Sequence, residues 1–130
     1  MRAIHVNLVM AWVWILMGFL SGSVLGLFFA RENWLGGYAS FKRRLYRLAH
    51  ISFFGLGLAN LAFYLSAQLL GSPGPGLEAA SWLFVAGAIT MPICCVIMAH
   101  FPKALLLFGV PVLSLVAGGA LILKDIIKLP

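Results

Sequence analysis

Four runs of the chain, roughly 4–30, 46–70, 79–100 and 104–123, are almost free of charged residues. Each is long enough to cross a bilayer, whose ~30 Å apolar core takes about 20 residues of helix. In lipid, backbone amides and carbonyls must bond within the chain. Long uninterrupted apolar runs meet that condition as helices. The expected fold is therefore all-α: one four-helix transmembrane bundle over residues 1–130, with the lipid bilayer as its first partner.

Composition closes the soluble alternative. Of 130 residues, 63% are hydrophobic and 9% charged. Soluble domains carry about a quarter charged residues, and a core of this size has no room for so much apolar surface. The first run continues from Ile4 to Ala30, well beyond the roughly 7–15 residues of a signal-peptide core, so it is expected to be a retained helix.

The breaks between runs have turn chemistry. GSPGPGL at 71–77 is rich in glycine and proline. HFPK at 100–103 predicts a tight hairpin, with Pro102 ending one helix. The linker RENWLGGYASFKRRL at 31–45 carries Arg31, Lys42, Arg43 and Arg44, and Trp34, Tyr38, Phe41 and Tyr46 form an aromatic belt at headgroup level.

The net charge of +6 does not form a nucleic-acid footprint, because the cations cluster between apolar runs instead of along a polar face. They read as topology determinants. Arg31, Lys42, Arg43, Arg44, Arg47 and Lys103 fall on one side; Arg2, Lys124 and Lys128 fall on the other. The positive-inside rule then predicts both termini outside and the linker in the cytoplasm, most simply of a bacterial inner membrane.

Small and polar residues mark the packing faces. Helix one has Gly18-x-x-x-Gly22-x-x-x-Gly26 with Ser21 beside it, and Asn7 and Trp14 fall on the same stripe. Glycines four apart let helices approach closely, within the chain, toward other membrane subunits or in a homo-oligomer. Helix two has a stripe of His50, Phe54, Gly57, Asn60 or Leu61, and Tyr64. The Asn60 amide needs a partner across a helix. Helix four has Gly109, Pro111, Ser114, Gly118 and Gly119. Pro92 is expected to kink helix three and free a carbonyl near Ala88.

Candidate chemistry rests on histidine and sulfur. His50 and His100 are expected at similar depth on different helices, the arrangement that ligates a haem iron from both faces. On helix three, Met91, Cys94 or Cys95, and Met98 recur at helical spacing, and thioether and thiolate sulfurs suit Cu(I). The same residues also serve as ordinary packing groups. Adjacent cysteines rarely form an unstrained disulfide, so both are expected as thiols. The acids Glu32, Glu78 and Asp125 fall at the edges of the runs, which argues against a proton-coupled pump. No Ser–His–Asp set or phosphate loop is readable, so hydrolytic and phosphoryl-transfer chemistry has no support.

The opening Arg2-x-x-His5-x-Asn7, followed by an apolar helix with Trp12 and Trp14, resembles the low-spin haem-ligand helix of the haem–copper oxidase superfamily. The likeness is to the large subunits of nitric oxide reductases and cbb3-type oxidases. It implies that His5 is a haem b ligand and that Arg2 lies near a propionate. The rest of the chain departs from that family. It has far fewer helices and lacks the histidines for a copper and a high-spin haem, so oxidase chemistry by this chain alone is not expected.

The leading expectation is a small subunit of a membrane redox or respiratory complex that contributes to haem b ligation and electron transfer and is not catalytic on its own. The alternatives are a cofactor-free structural or assembly subunit, and a small transporter or copper-handling protein.

Overall fold

The computed structural model describes residues 2–71 and 74–129. Four helices account for most of them: α1 (Arg2–Phe29), α2 (Phe41–Leu70), α3 (Pro75–His100) and α4 (Gly109–Ile126). All four are long and apolar enough to cross a membrane, α4 together with the 3-10 stretch before it. Each reverses direction relative to the last. The end of the bundle that carries residues 30–40 and 101–108 is called the linker end below.

The distribution of polarity is inverted relative to a water-soluble protein. Leu20, Phe19, Leu27, Leu69 and Leu113 stand more than half exposed, while Asn7, Asn60 and Ser81 are wholly buried. Exposed side chains of that kind suit hydrocarbon, and polar groups inside must then find one another. The helix α3 lies at the centre, against α2, α4 and less extensively α1. It buries 44% of its most apolar window, against 11% for α1 and for α4. At the end away from the linker, all four helices meet at Ile4, Phe63, Leu77 and Ile122.

Three element boundaries differ from expectation. The helix α2 begins at Phe41 instead of 46 because Ser40 caps it, accepting from the Arg43 amide at 3.1 Å. The helix α3 begins at Pro75 instead of 79, since proline suits the first helical position and Gly74 supplies an extended N-cap. The expected hairpin at 100–103 is instead a 3-10 stretch from Pro102 to Phe108, and α4 starts only at Gly109. Ser72 and Pro73 of the predicted GSPGPGL break lie outside the described residues.

Proline leaves its mark through carbonyls. The helix α3 runs on through Pro92, but Pro92 has no amide for the carbonyl four residues back. That carbonyl, Ala88 O, accepts from the Trp14 indole at 3.0 Å. Pro111 likewise offers no amide to Leu107 O, which takes the Cys94 thiol at 3.4 Å. Pro92 thereby creates an acceptor that a neighbouring helix fills, while Leu107 O also takes the Gly109 amide.

The seam between α1 and α2 is an antiparallel ladder. His5 lies against Tyr64, with ring centroids 5.9 Å apart. Asn7 Nδ2 donates to Asn60 Oδ1 at 2.8 Å. Gly57 sits against the Ala11 carbonyl and Ile15, Gly18 against the Phe54 ring, and Gly22 against His50. Both predicted stripes therefore face each other, and Gly18 and Gly22 are occupied from within the chain. Nothing lies within 4 Å of a Cβ built on Gly26.

A polar clasp ties in the third helix. Ser81 Oγ donates to Asn7 Oδ1, and Asn7 Nδ2 also reaches Ser81 O at 3.2 Å. Asn60 Nδ2 donates to Leu56 O at 2.9 Å and to Phe84 O at 3.5 Å. The partner that Asn60 needed is thus Asn7.

Candidate functional site

His50 is half-buried about two and a half turns inside the linker end of α2, wedged against α1. Ser21 holds one side of its ring, with Oγ 3.0 Å from Nδ1. A serine has one hydroxyl proton to give, and the Gly18 carbonyl stands 3.2 Å away to receive it. Ser21 Oγ and His50 Nδ1 share one hydrogen bond, in which the ring's tautomer sets the donor. A methyl carbon on Gly22 would come within 2.8 Å of Cε1 and 3.3 Å of Nε2, so that edge of the ring stands over bare backbone. No described residue hydrogen-bonds Nε2.

His50 borders a cleft of about 380 Å³ whose lining includes Gly22, Gly26, Phe29, Arg43 and Arg47. The two arginines differ. Arg43 is 1% exposed. It donates to Phe29 O at 2.8 Å and Arg31 O at 3.4 Å, and so satisfies carbonyls at the end of α1 where the helix dipole is negative. Its guanidinium lies 3.8 Å from the Tyr38 ring centroid, with Phe29 and Trp34 on other sides. Arg47 makes only a 3.5 Å contact to Tyr38 O, leaving most of its donors uncommitted. No carboxylate pairs with either among the described residues.

The other predicted site residues are scattered. His5 is exposed at the opposite end of the bundle, beside Tyr64. Arg2 belongs to α1, but its side chain lies outside the described residues. His100 shares the linker end with His50, as expected, and has its own partner: Nε2 is 3.0 Å from the Tyr46 hydroxyl. Of the sulfur residues, Cys94 turns to Leu107, Met98 packs with Leu45 and Ala99, and Cys95 is fully buried. Both cysteines are free thiols. Among the described residues, no three of His, Cys, Asp or Glu stand together.

Sequence reasoning placed Arg43 with the headgroup-level cations and gave Ser21 no chemical role. Three aromatic residues around a basic run were the available sign of the Arg43 cage. Ser21 needed the register of the α1–α2 seam.

No family model, curated protein or solved structure matches this chain.

Proposed function

We propose that this chain is a small subunit of a membrane redox assembly that holds a haem b through His50. The observation that carries the reading is the setting of the imidazole: Nδ1 is tethered by Ser21, and the ring lines a cleft together with Gly22, Gly26, Arg43 and Arg47. Histidines that ligate metals commonly donate their second ring N–H to a fixed acceptor, which orients the ring and sets the tautomer. Arg47, with Arg43 behind it, supplies positive charge where haem propionates would sit. A bound haem would supply one-electron chemistry, and this chain's residues would orient it and neutralise its acids. His5 lies at the far end, beside Tyr64, and His100 is engaged by Tyr46, so a second protein ligand would come from another subunit or a second copy.

The spectrum of the protein in mild detergent, taken from its native membrane, tests this. A reduced b-type α-band is expected, and His50→Ala should abolish it. Ser21→Ala should weaken haem retention about 10-fold or more, the usual cost of losing an outer-shell partner. Gly22→Val, which pushes the ring aside without removing it, should do the same. His100→Ala should keep the haem. If His5→Ala alone loses it, the ligand is the one that the oxidase resemblance implies. An intact native complex without haem would leave a scaffold subunit.

The proposed orientation has both termini outside and the basic linker in the cytoplasm of a bacterial inner membrane. Alkaline phosphatase fused after residue 129 should be active and a fusion within 31–40 inactive. The reverse pattern would invert the topology.

A further inference from the structure

The linker end gathers positive charge with almost nothing of opposite sign to meet it. Between 31 and 47 the chain has Arg31, Lys42, Arg43, Arg44 and Arg47 against a single acid, Glu32. Glu32 is exposed and does not line the cleft beside His50. Arg43 does line it and is 1% exposed. A guanidinium so deeply placed normally sits against a carboxylate, yet its hydrogen bonds go to two neutral carbonyls, Phe29 O and Arg31 O. Those carry partial charges at most. Arg47, one turn further along α2, adds a second full charge to the same cleft. Its only contact is the 3.5 Å approach to Tyr38 O, so most of its planar fork of N–H groups remains for an anion.

The cleft changes character along the helices. Its arginines lie in the first two turns of α2, at the level of the aromatic belt. Level with Arg47 and beyond it, the walls are Gly26, Leu25, Gly22 and Ile51. Gly26 leaves a notch, since a Cβ built there meets nothing within 4 Å, and Ile51 is 61% exposed. The apolar part therefore opens onto the face that suits hydrocarbon. Charge and notch follow the order of a membrane lipid, with an acid group at the interface and a chain beneath it. The lining holds no carboxylate, which selects further. The ammonium of a zwitterionic headgroup would find no acid there and five cations in the adjoining segment, whereas a headgroup of net negative charge supplies what the cleft lacks.

We propose that this cleft binds an anionic phospholipid, its phosphate on Arg47 with the buried Arg43 charge behind it and one acyl chain over Gly26 and Gly22. The lipid occupies the haem-free chain. The further step, that haem displaces it, rests on the haem reading above, because propionates would use the same arginines.

Native mass spectrometry of the full-length protein in mild detergent, titrated with phosphatidylglycerol or with phosphatidylcholine of the same chains, tests the site. One tightly held phosphatidylglycerol per haem-free chain is expected, with phosphatidylcholine bound about tenfold more weakly. Arg47→Ala should weaken phosphatidylglycerol binding about tenfold, the scale of a lost charge-assisted hydrogen bond. Gly26→Val, which fills the notch and changes no charge, should also weaken it measurably. Arg44→Ala removes an exposed cation outside the cleft and should leave binding unchanged. Equal losses in Arg44→Ala and Arg47→Ala are general attraction to a basic surface and overturn the proposal, as does equal binding of the two lipids. Parental binding in Gly26→Val puts the lipid outside the notch and overturns it too. Displacement by an equal concentration of inorganic phosphate overturns it in favour of a free anion. Haemin added to the lipid-bound parent should release the lipid, and a chain carrying both overturns the displacement. The two readings fail separately. A phosphatidylglycerol preference lost in Arg47→Ala, in a chain that never takes haem, upholds the lipid alone. Haem lost in His50→Ala, with no lipid preference in the haem-free parent, upholds the haem alone.

Discussion

Gly57→Val is expected to destabilise the bundle by about 2–3 kcal/mol, the upper part of the range for overpacking a well-packed contact. A Cβ on Gly57 would lie 3.0 Å from the Ala11 carbonyl oxygen, 3.1 Å from Ile15 Cγ1 and 3.4 Å from the Ile15 amide nitrogen. Two of these three atoms are backbone, so no rotamer change relieves the clash and α1 must move as a body. That displacement strains the contacts on either side of it, Asn7–Asn60 above and Ser21–His50 below. Gly18 and Gly22 are more forgiving, because their neighbours are ring edges of Phe54 and His50. The comparison that isolates the effect is Gly26→Val, where a Cβ meets nothing within 4 Å. That variant should stay within about 0.5 kcal/mol of the parent, as substitutions away from packed features do. Unfolding titrations in mixed micelles, followed by circular dichroism, measure both. Equal stabilities for the two variants would mean that the α1–α2 approach is not close at Gly57.

Asn60→Leu is the second large effect, expected to cost about 1–2 kcal/mol. An asparagine side chain in hydrocarbon needs polar partners, and this one is wholly buried. Its oxygen is the acceptor for Asn7 Nδ2, and its nitrogen reaches Leu56 O and Phe84 O. Single hydrogen bonds in membranes average about 0.6 kcal/mol, with about 1.7 at the top of the range. The higher figure applies here because the substitution also leaves Asn7 with one donor orphaned in the interior. Asn7→Leu should cost a similar amount, while the double variant should cost clearly less than the sum. With both amides gone, neither orphan remains. A double-mutant cycle on the same unfolding assay reads the coupling directly. Strict additivity would show that the clasp does not act as a unit.

Those two effects separate what was legible in the residues from what was not. The four spans followed from length and polarity, since no other backbone solution suits so much apolar chain. The facing stripes of α1 and α2 followed from helical period and small residues. So did the need of Asn60 for a partner, and the acceptor that Pro92 creates at Ala88. Each of these depends on atoms within one or two turns of a single helix. The partners did not follow, because a partner depends on register between helices. Trp14 as the donor to Ala88, Asn7 as the mate of Asn60, and Ser21 as the tether of His50 all required two helices placed to within an ångström or so.

The linker end shows the same division. Its cations were legible as a group, and their excess on one side is a property of sequence position alone. Arg43 looked like its neighbours Lys42 and Arg44, yet it alone turns inward, because the carbonyls at the end of α1 and the Tyr38 ring converge on that one position. The later start of α4 was not legible either: Pro102 ends α3 and opens a 3-10 stretch, in which Leu107 O meets the Cys94 thiol.

By itself the sequence determined that four helices form, how long they are to within a few residues, and which faces of α1 and α2 pack. Hydrophobic length and period are local and additive along a chain. Only the tertiary structure decided which polar groups meet and which side of His50 is tethered. Those outcomes depend on distances of about 3 Å between helices, the range over which hydrogen bonds form or fail, and no single helix encodes them.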